Sequence, residues 1–157
     1  MPTIECMRRQ AMYEDALARV NLFSGLRKKD LKDLAAYCKE RTFSPGSVLL
    51  SQGEQGLGLF ILTKGTARIT RKSSSVGVEE VLGQATAGDV IGEMALLDDL
   101  PRSATVTAVD EVTVLLLPVW EFRRILREIF RSDPDVGLSL LAVLSGRVRR
   151  AEQRACD

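Results

Sequence analysis

One short connection in the sequence holds an acid, a base and several small residues between two apolar runs. It reads Gly92-Glu93-Met94-Ala95-Leu96-Leu97-Asp98-Asp99-Leu100-Pro101-Arg102-Ser103-Ala104-Thr105. Arg102 carries a permanent charge, and its planar fork of donors matches phosphate oxygens two at a time. Gly92 has no Cβ, so the backbone there can approach a ligand closely. The pattern predicts a phosphate pocket in which Glu93 accepts a hydrogen bond from a sugar hydroxyl.

The residues between the acid and the base fit the same interpretation. The run Met94-Ala95-Leu96-Leu97 favours a short helical turn, whose first amides have no internal partner and offer donors to an anion. Ser103 and Ala104 are small and leave room for a ligand. The simplest alternative is a surface ion pair between Glu93 and Arg102, which is worth only ~0 to 1 kcal/mol.

At these residues the chain resembles the cyclic nucleotide-binding domain family. The residues that match its phosphate-binding cassette are Gly92, Glu93, Ala95, Leu96, Pro101, Arg102, Ser103 and Ala104. The resemblance implies that Glu93 holds the ribose 2′-hydroxyl and that Arg102 holds the cyclic phosphate. We therefore expect the ligand to contact Gly92, Glu93, Met94, Ala95, Arg102, Ser103 and Ala104.

The resemblance also implies a lining for the purine and the ribose. The matching positions on facing strands are Ile69, Leu82 and Gly83, each of which, taken alone, is more simply a core residue. Arg147 is a further candidate, because a C-terminal helix of this type folds over the pocket in related proteins. Its simpler role is to compensate the helix dipole.

Composition excludes several classes of protein. The chain has 157 residues and a net charge of +1, so it has no overall attraction to nucleic acid or to an anionic membrane. It has no apolar run near the ~20 residues that span a bilayer, and its N-terminus is too charged for a signal peptide. We therefore expect a cytoplasmic protein in which Cys6, Cys38 and Cys156 are reduced thiols.

The absence of histidine argues against catalysis. The sequence contains 0 histidines, which removes the commonest general base and the commonest metal ligand. No nucleophile elbow or P-loop motif occurs, and Gly56-Leu57-Gly58 lacks the third glycine of a dinucleotide fingerprint. We expect no enzyme activity, no metal site and no cofactor.

The order of elements predicts a mainly β fold. Apolar spacing indicates short helices before the turn at Phe43-Ser44-Pro45-Gly46. Turn clusters then separate β-favouring runs at residues 48–50, 59–62, 67–70, 80–85, 104–109 and 112–117. This arrangement predicts one domain over residues 1–157, built on a jelly-roll (double-stranded β-helix) barrel. We place N-terminal helices at about 7–40, the barrel at about 43–118 and C-terminal helices at about 120–154.

A long last helix is predicted from Asp133 as N-cap, with Pro134 at the first helical position. Its apolar stripe comprises Val136, Leu140, Val143, Leu144, Val148 and Ala151. Because this stripe is longer than one barrel face needs, it favours a homodimer through the helix, with Gly146 beside the seam. The alternative is that the stripe packs on its own barrel.

The resemblance predicts a cyclic nucleotide sensor that relays binding through its terminal helices to an unknown effector protein. The ligand is cAMP or cGMP, a choice left open because Ala151 and Glu152 stand where bacterial relatives place Ser or Thr. The main alternative is a fragment or relative of a transcription regulator, although no DNA-binding motif follows and no direct nucleic-acid contact is expected. A ligand-free interaction domain and a jelly-roll metalloenzyme are weaker alternatives.

Overall fold

The structure is a computed structural model that describes residues 1–92 and 100–156. Its helices are α1 (Ile4–Ala18), α2 (Lys28–Ala36), α3 (Val119–Ser132) and α4 (Pro134–Cys156), with a 3-10 turn at Asn21–Phe23. Its strands are β1 (Lys39–Phe43), β2 (Val48–Leu50), β3 (Gly58–Lys64), β4 (Ala67–Lys72), β5 (Glu79–Ala85), β6 (Val90–Ile91), β7 (Thr105–Ala108) and β8 (Val112–Pro118). The predicted site residues Glu93, Met94 and Ala95 lie outside the described residues.

The chain divides into two compact units. The strand unit is Tyr37–Phe122, and the helical unit combines Met1–Ala36 with Arg123–Asp157. The assignment of the whole chain to one domain stays a prediction.

The strand unit contains two antiparallel sheets of four strands each. Their orders are β1-β8-β3-β6 and β2-β7-β4-β5, so most neighbours in a sheet are distant in sequence. Such crossed connections between two packed sheets are typical of a jelly roll. The mainly β jelly-roll fold with flanking helices that the sequence predicted is confirmed.

Alternating apolar residues build the core between these sheets. In β7 the side chains alternate between half-buried and buried positions, as expected of a strand with one face toward a core. The buried core residues are Leu49, Phe60, Leu62, Ala67, Ala85, Ile91, Val106, Ala108, Val112 and Val114. The phenyl rings of Phe43 and Phe60 meet edge-on, with centroids 6.4 Å apart.

Two strands were missed by the sequence analysis. Strand β1 precedes the turn at which the strands were expected to begin, and β6 has only two residues. The sequence Lys-Glu-Arg-Thr-Phe of β1 is polar and mostly exposed, so it shows no apolar alternation. It is a strand because Lys39–Phe43 pairs residue by residue with Val112–Leu116 of β8, which is a tertiary cause.

The helical unit packs around buried residues of α1, α2 and α4, among them Leu17, Leu34 and Leu140. Helix α4 begins at Pro134, as predicted. At Gly137 an added Cβ would overlap the ring of Phe130, so this glycine allows α3 and α4 to approach closely. Gly146, which the sequence analysis singled out, has only the end of Arg150 within 4 Å of the corresponding position.

The predicted apolar stripe of α4 is wrong in one respect. Leu140 is 2% exposed and belongs to the core of its own unit, whereas Val148 is 58% exposed. The two residues therefore do not share one free face. Leu141, which was not assigned to the stripe, is 50% exposed.

The Arg27 side chain joins a buried carboxylate of α2 to the residue before α4. Asp30 is buried and accepts hydrogen bonds from the backbone amide of Arg27 and from its Nε, at 3.1 and 2.9 Å. The same guanidinium lies 3.5 Å from the carboxylate of Asp133. The Asp30 carboxylate raises the pKa of Arg27.

Within the described part of the chain, every helix is too short or too polar to cross a membrane.

Candidate functional site

Arg102 is the centre of the candidate site. Its side chain is in the strand unit and is only 9% exposed. Its Nη1 donates to the carbonyl oxygen of Gly92 at 3.1 Å, and its Nη2 donates to that of Gly58 at 2.6 Å. These carbonyls fix the plane of the guanidinium, because each holds a different arm of the fork.

The backbone of Arg102 is held by a loop that the sequence analysis did not assign to the site. The Arg102 amide donates to the carbonyl of Glu54, and the Gly53 amide donates to the carbonyl of Arg102, both at 2.8 Å. Gln55 and Pro101 form an antiparallel bridge beside these bonds. The turn at residues 53–55 therefore fixes the backbone from which the arginine side chain extends.

Gln52 ties this turn to the second sheet. Its side-chain amide donates to the Lys72 carbonyl at 3.0 Å, and its side-chain oxygen accepts from the Lys72 amide at 2.8 Å. Its own backbone amide donates to Oγ1 of Thr105 at 3.0 Å. Gln52 thus anchors the turn that holds Arg102 to β4 and β7 of that sheet.

Glycine is required at both carbonyls that hold Arg102. Gly92 has φ +78°, a conformation that side chains rarely adopt, and a Cβ there would overlap Nη1 of Arg102. At Gly58 a Cβ would lie 2.5 Å from the carbonyl oxygen of Leu117. In the structure Gly92 makes room for the Arg102 guanidinium. That its backbone also approaches a ligand closely stays a prediction.

The other predicted residues lie in two places. Ser103 is exposed and Ala104 is half-buried, next to Arg102 in the chain. Ile69 pairs with Gly83 across β4 and β5, and Leu82 occupies the irregularity between these strands, where it is 45% exposed. Ile69 is half-buried and packs against the core.

The structure thus brings Gly92 and Arg102 into contact and, separately, places Ile69 beside Gly83. Their role as ligand contacts stays a prediction, as does that of Leu82. Arg147 lies in α4, which belongs to the helical unit.

A cavity of about 250 Å³ lies beside Arg102 in the strand unit. Its lining comprises Arg41, Leu49, Leu50, Ser51, Glu54, Gln55, Leu57, Gly58, Phe60, Arg102, Leu116, Pro118 and Trp120. None of the predicted purine-lining residues is among them. Of the lining, the sequence analysis had assigned a ligand role only to Arg102.

A backbone contact connects this region to the first helix after the barrel. The carbonyl of Leu57 accepts from the amide of Val119, the first residue of α3, at 2.9 Å. Gly58, which follows Leu57, pairs with Pro118 and accepts from Arg102. The Gly58 carbonyl thus contacts Arg102, and the adjacent Leu57 carbonyl contacts the start of α3.

The site thus combines a jelly roll with a buried arginine whose guanidinium is oriented by two carbonyls. Residues 40–129 match the family described as cyclic nucleotide-binding domain. The match covers more than half of the chain, and the chain belongs to this family. The family is a regulatory ligand-binding domain and not a catalytic one. The recognition made from the cassette motif is confirmed, and with it the function of a cyclic nucleotide-binding regulatory module.

Two kinds of relative illustrate the family. A cAMP-dependent protein kinase regulatory subunit of Mycosarcoma maydis is 40% identical over 101 residues, covering 64% of this chain and 19% of that protein. The cyclic AMP receptor protein of Thermus thermophilus is 32% identical over 131 residues, covering 83% of this chain and 58% of the receptor. The chain thus spans about a fifth of the first relative and little more than half of the second.

A solved structure of a regulatory domain has the same fold as this chain. The regulatory domain of Toxoplasma gondii PKA, crystallised with cAMP, superposes with a TM-score of 0.76 at 25% identity. The superposition covers 93% of this chain and 52% of that one.

Proposed function

We propose that the chain binds cAMP and that Arg102 holds the cyclic phosphate while Glu93 holds the ribose 2′-hydroxyl. The observation that carries the proposal is the Arg102 guanidinium, buried and oriented by the carbonyls of Gly92 and Gly58. Glu93 follows Gly92 directly in the sequence. One short segment therefore supplies the carbonyl that orients Arg102 and the carboxylate proposed to bind the ribose hydroxyl.

The Arg102 side chain is preorganised for binding an anion. A flexible surface arginine loses side-chain entropy when it binds a phosphate, whereas Arg102 is already ordered by its two carbonyl contacts. A charge-assisted hydrogen bond contributes ~1.5 to 3 kcal/mol, and low exposure limits screening of the charge by salt. An anion that reaches this guanidinium therefore gains more than it would at the protein surface.

The choice of cAMP over cGMP is supported by the relatives. The kinase subunits and the receptor protein that are 32% to 40% identical to this chain are named for cAMP. We propose the same purine here. Calorimetric titration with cAMP and cGMP in parallel tests it, and tighter binding of cGMP would contradict it.

Arg102→Gln tests the phosphate assignment. We expect its cAMP affinity to fall by tens to hundreds of times, since loss of a charge-assisted contact costs ~2 to 4 kcal/mol. Arg68→Gln is the matched control, because Arg68 is an exposed arginine on β4 and lies outside the cavity lining. Equal cAMP affinity in the two variants, or no binding of cAMP by the wild type at millimolar concentration, would contradict the assignment.

Glu93→Gln tests the sugar assignment. The carboxylate should matter for cAMP and little for 2′-deoxy-cAMP, which lacks the hydroxyl. We expect the variant to weaken cAMP about tenfold more than the deoxy analogue, a difference of ~1.4 kcal/mol. Equal losses for the two ligands would show that Glu93 supports the fold and not the sugar.

We propose that the signal leaves the site through β3. When a phosphate draws the guanidinium of Arg102, its 2.6 Å bond to the Gly58 carbonyl is strained, and the adjacent Leu57 carbonyl holds the first amide of α3. Saturating cAMP should therefore change the hydrogen exchange of the Val119 amide. An unchanged exchange rate at this amide would refute the route.

We also propose that two copies pair through α4. Leu141 and Val148 are seven residues apart, and both are at least half exposed on this helix. Leu144 lies between them at coiled-coil spacing. Pairing would remove these side chains from water. Sedimentation velocity should show a dimer at tens of micromolar with or without cAMP, and a monomer under both conditions would reject this interface.

We finally propose that the chain binds its ligand without altering it. No histidine is present in the sequence to act as general base, and the residues assigned here are those of a binding site. Prolonged incubation with cAMP, followed by chromatography, should return the nucleotide intact. Formation of AMP that scales with protein concentration would overturn this proposal.

A further inference from the structure

The cavity of about 250 Å³ beside Arg102 has features of a second ligand site, which shares only Arg102 with the predicted nucleotide contacts. We propose that it binds a small organic anion, a monocarboxylate with a compact apolar body, and that this anion weakens nucleotide binding. The second half of the proposal rests on the proposed function, because it requires the phosphate at Arg102.

The floor of the cavity is apolar. Leu49 and Phe60 are buried core residues, and Leu50 and Leu116 are half-buried around them. Trp120 stands at the rim and is 58% exposed. Water in contact with such a surface is released when an apolar group replaces it, so the floor favours a hydrocarbon or ring.

The charged residues of the cavity favour an anion. Arg41 and Arg102 are two cations in the lining, against the single carboxylate of Glu54. Arg41 is exposed on the edge strand β1, and the ion pairs seen among the described residues do not include it. A carboxylate matches the planar fork of the Arg41 guanidinium, whereas a protonated amine would be repelled by the positive charges of Arg41 and Arg102. The charge balance selects an acid over a base.

The shared guanidinium couples the two sites. Arg102 lines the cavity and is the proposed phosphate ligand, so a carboxylate and a phosphate would both lie near one cation. The negative charges of the carboxylate and the phosphate repel each other, and this repulsion is larger at a buried site than in water. Because coupling between two ligands is reciprocal, each should weaken the other by the same factor. The structure thus provides an arrangement for negative regulation by a metabolite of this chemical class.

Direct binding is tested without any nucleotide. Trp120 is the only tryptophan in the sequence, so intrinsic fluorescence reports on the rim of the cavity. The full chain is titrated with cyclohexylacetate and with its neutral analogue cyclohexylacetamide. We expect saturable quenching or enhancement with the acid and at least tenfold weaker binding of the amide. The proposal would be overturned if the acid and the amide bound with equal affinity, or if the acid showed no binding at 10 mM.

Two variants locate the bound carboxylate. Arg41→Gln should weaken cyclohexylacetate about tenfold, and the exposed Arg68→Gln should leave it unchanged. Arg41 is on an edge strand with its side chain exposed, so this substitution is compatible with folding, which circular dichroism checks. If the two variants bind the acid with the same affinity, the cavity is not its site.

Coupling is measured by titrating cAMP in the presence of saturating cyclohexylacetate. We expect cAMP affinity to fall at least threefold in the wild type and to be unaffected by the amide. An unchanged cAMP affinity with the acid bound would refute the shared role of Arg102. If the acid binds as predicted but no cyclic nucleotide binds, the proposed function fails while the carboxylate site stands.

Discussion

Replacing Gly92 with alanine should displace the Arg102 guanidinium without removing its charge. A Cβ on Gly92 would occupy the position of Nη1, so the arm that donates to the Gly92 carbonyl at 3.1 Å must move. The backbone also has φ +78°, which costs a non-glycine residue ~1 to 2 kcal/mol. The substitution therefore combines a general strain with one specific displacement.

A matched control separates these two effects. Gly88 has φ +97°, and a Cβ there would meet nothing within 4 Å. Gly88→Ala and Gly92→Ala should each lower the free energy of unfolding by ~1 to 2 kcal/mol. Only Gly92→Ala should weaken cAMP, by about ten- to a hundredfold, because one charge-assisted bond of ~1.5 to 3 kcal/mol is misplaced.

The assay is calorimetric titration of cAMP, together with urea unfolding, on both variants in wild-type and Arg102→Gln backgrounds. In the Arg102→Gln background, Gly92→Ala should cause no further loss of affinity, since the group it displaces is gone. Equal cAMP affinity in Gly92→Ala and Gly88→Ala would refute the reasoning. So would a full additional loss in the Arg102→Gln background, which would mean that Gly92 acts on the ligand by another route.

Four further outcomes are expected. Leu141→Glu with Val148→Glu should convert the expected dimer to a folded monomer in sedimentation, and a dimer that persists would place the interface elsewhere. Burial raises the pKa of Cys38 to about 12, so at pH 8 this thiol should react with a disulfide reagent far more slowly than the two exposed cysteines. Because this pKa is higher in the folded state than in the unfolded state, the free energy of unfolding should fall from about pH 9 to pH 12, and Cys38→Ala should flatten that slope. Asp30→Asn should lower the melting temperature well beyond exposed Asp33→Asn on the same helix, and equal melting temperatures would show that the buried carboxylate is not a stabilising contact.

Local patterns in the sequence determined much of the architecture. Six strands were predicted close to their observed positions, because short β-favouring runs between turn clusters are visible without tertiary information. The start of α4 at Pro134 followed from the fixed φ of proline at a first helical position. The cassette motif identified the family, since its residues are adjacent in the chain and need no fold to be recognised.

Pairing between distant segments was decided only by the tertiary structure. Strand β1 is polar except at Phe43, and it exists because β8 offers it a partner edge. The sequence analysis considered Gly58 only as part of an incomplete dinucleotide fingerprint, although its carbonyl holds Nη2 of Arg102 from 44 residues away. No local pattern encodes such a contact.

The choice of face on α4 shows the same limit. Periodicity placed Leu140 and Val148 in one stripe and left Leu141 out, but it cannot say which members of the stripe are covered, and Val148 is 58% exposed. The structure buries Leu140 at 2% exposure and leaves Leu141 half exposed. Sequence determines that a helix has an apolar stripe, but the neighbouring elements determine which part of the stripe they cover, because burial depends on what stands opposite each side chain.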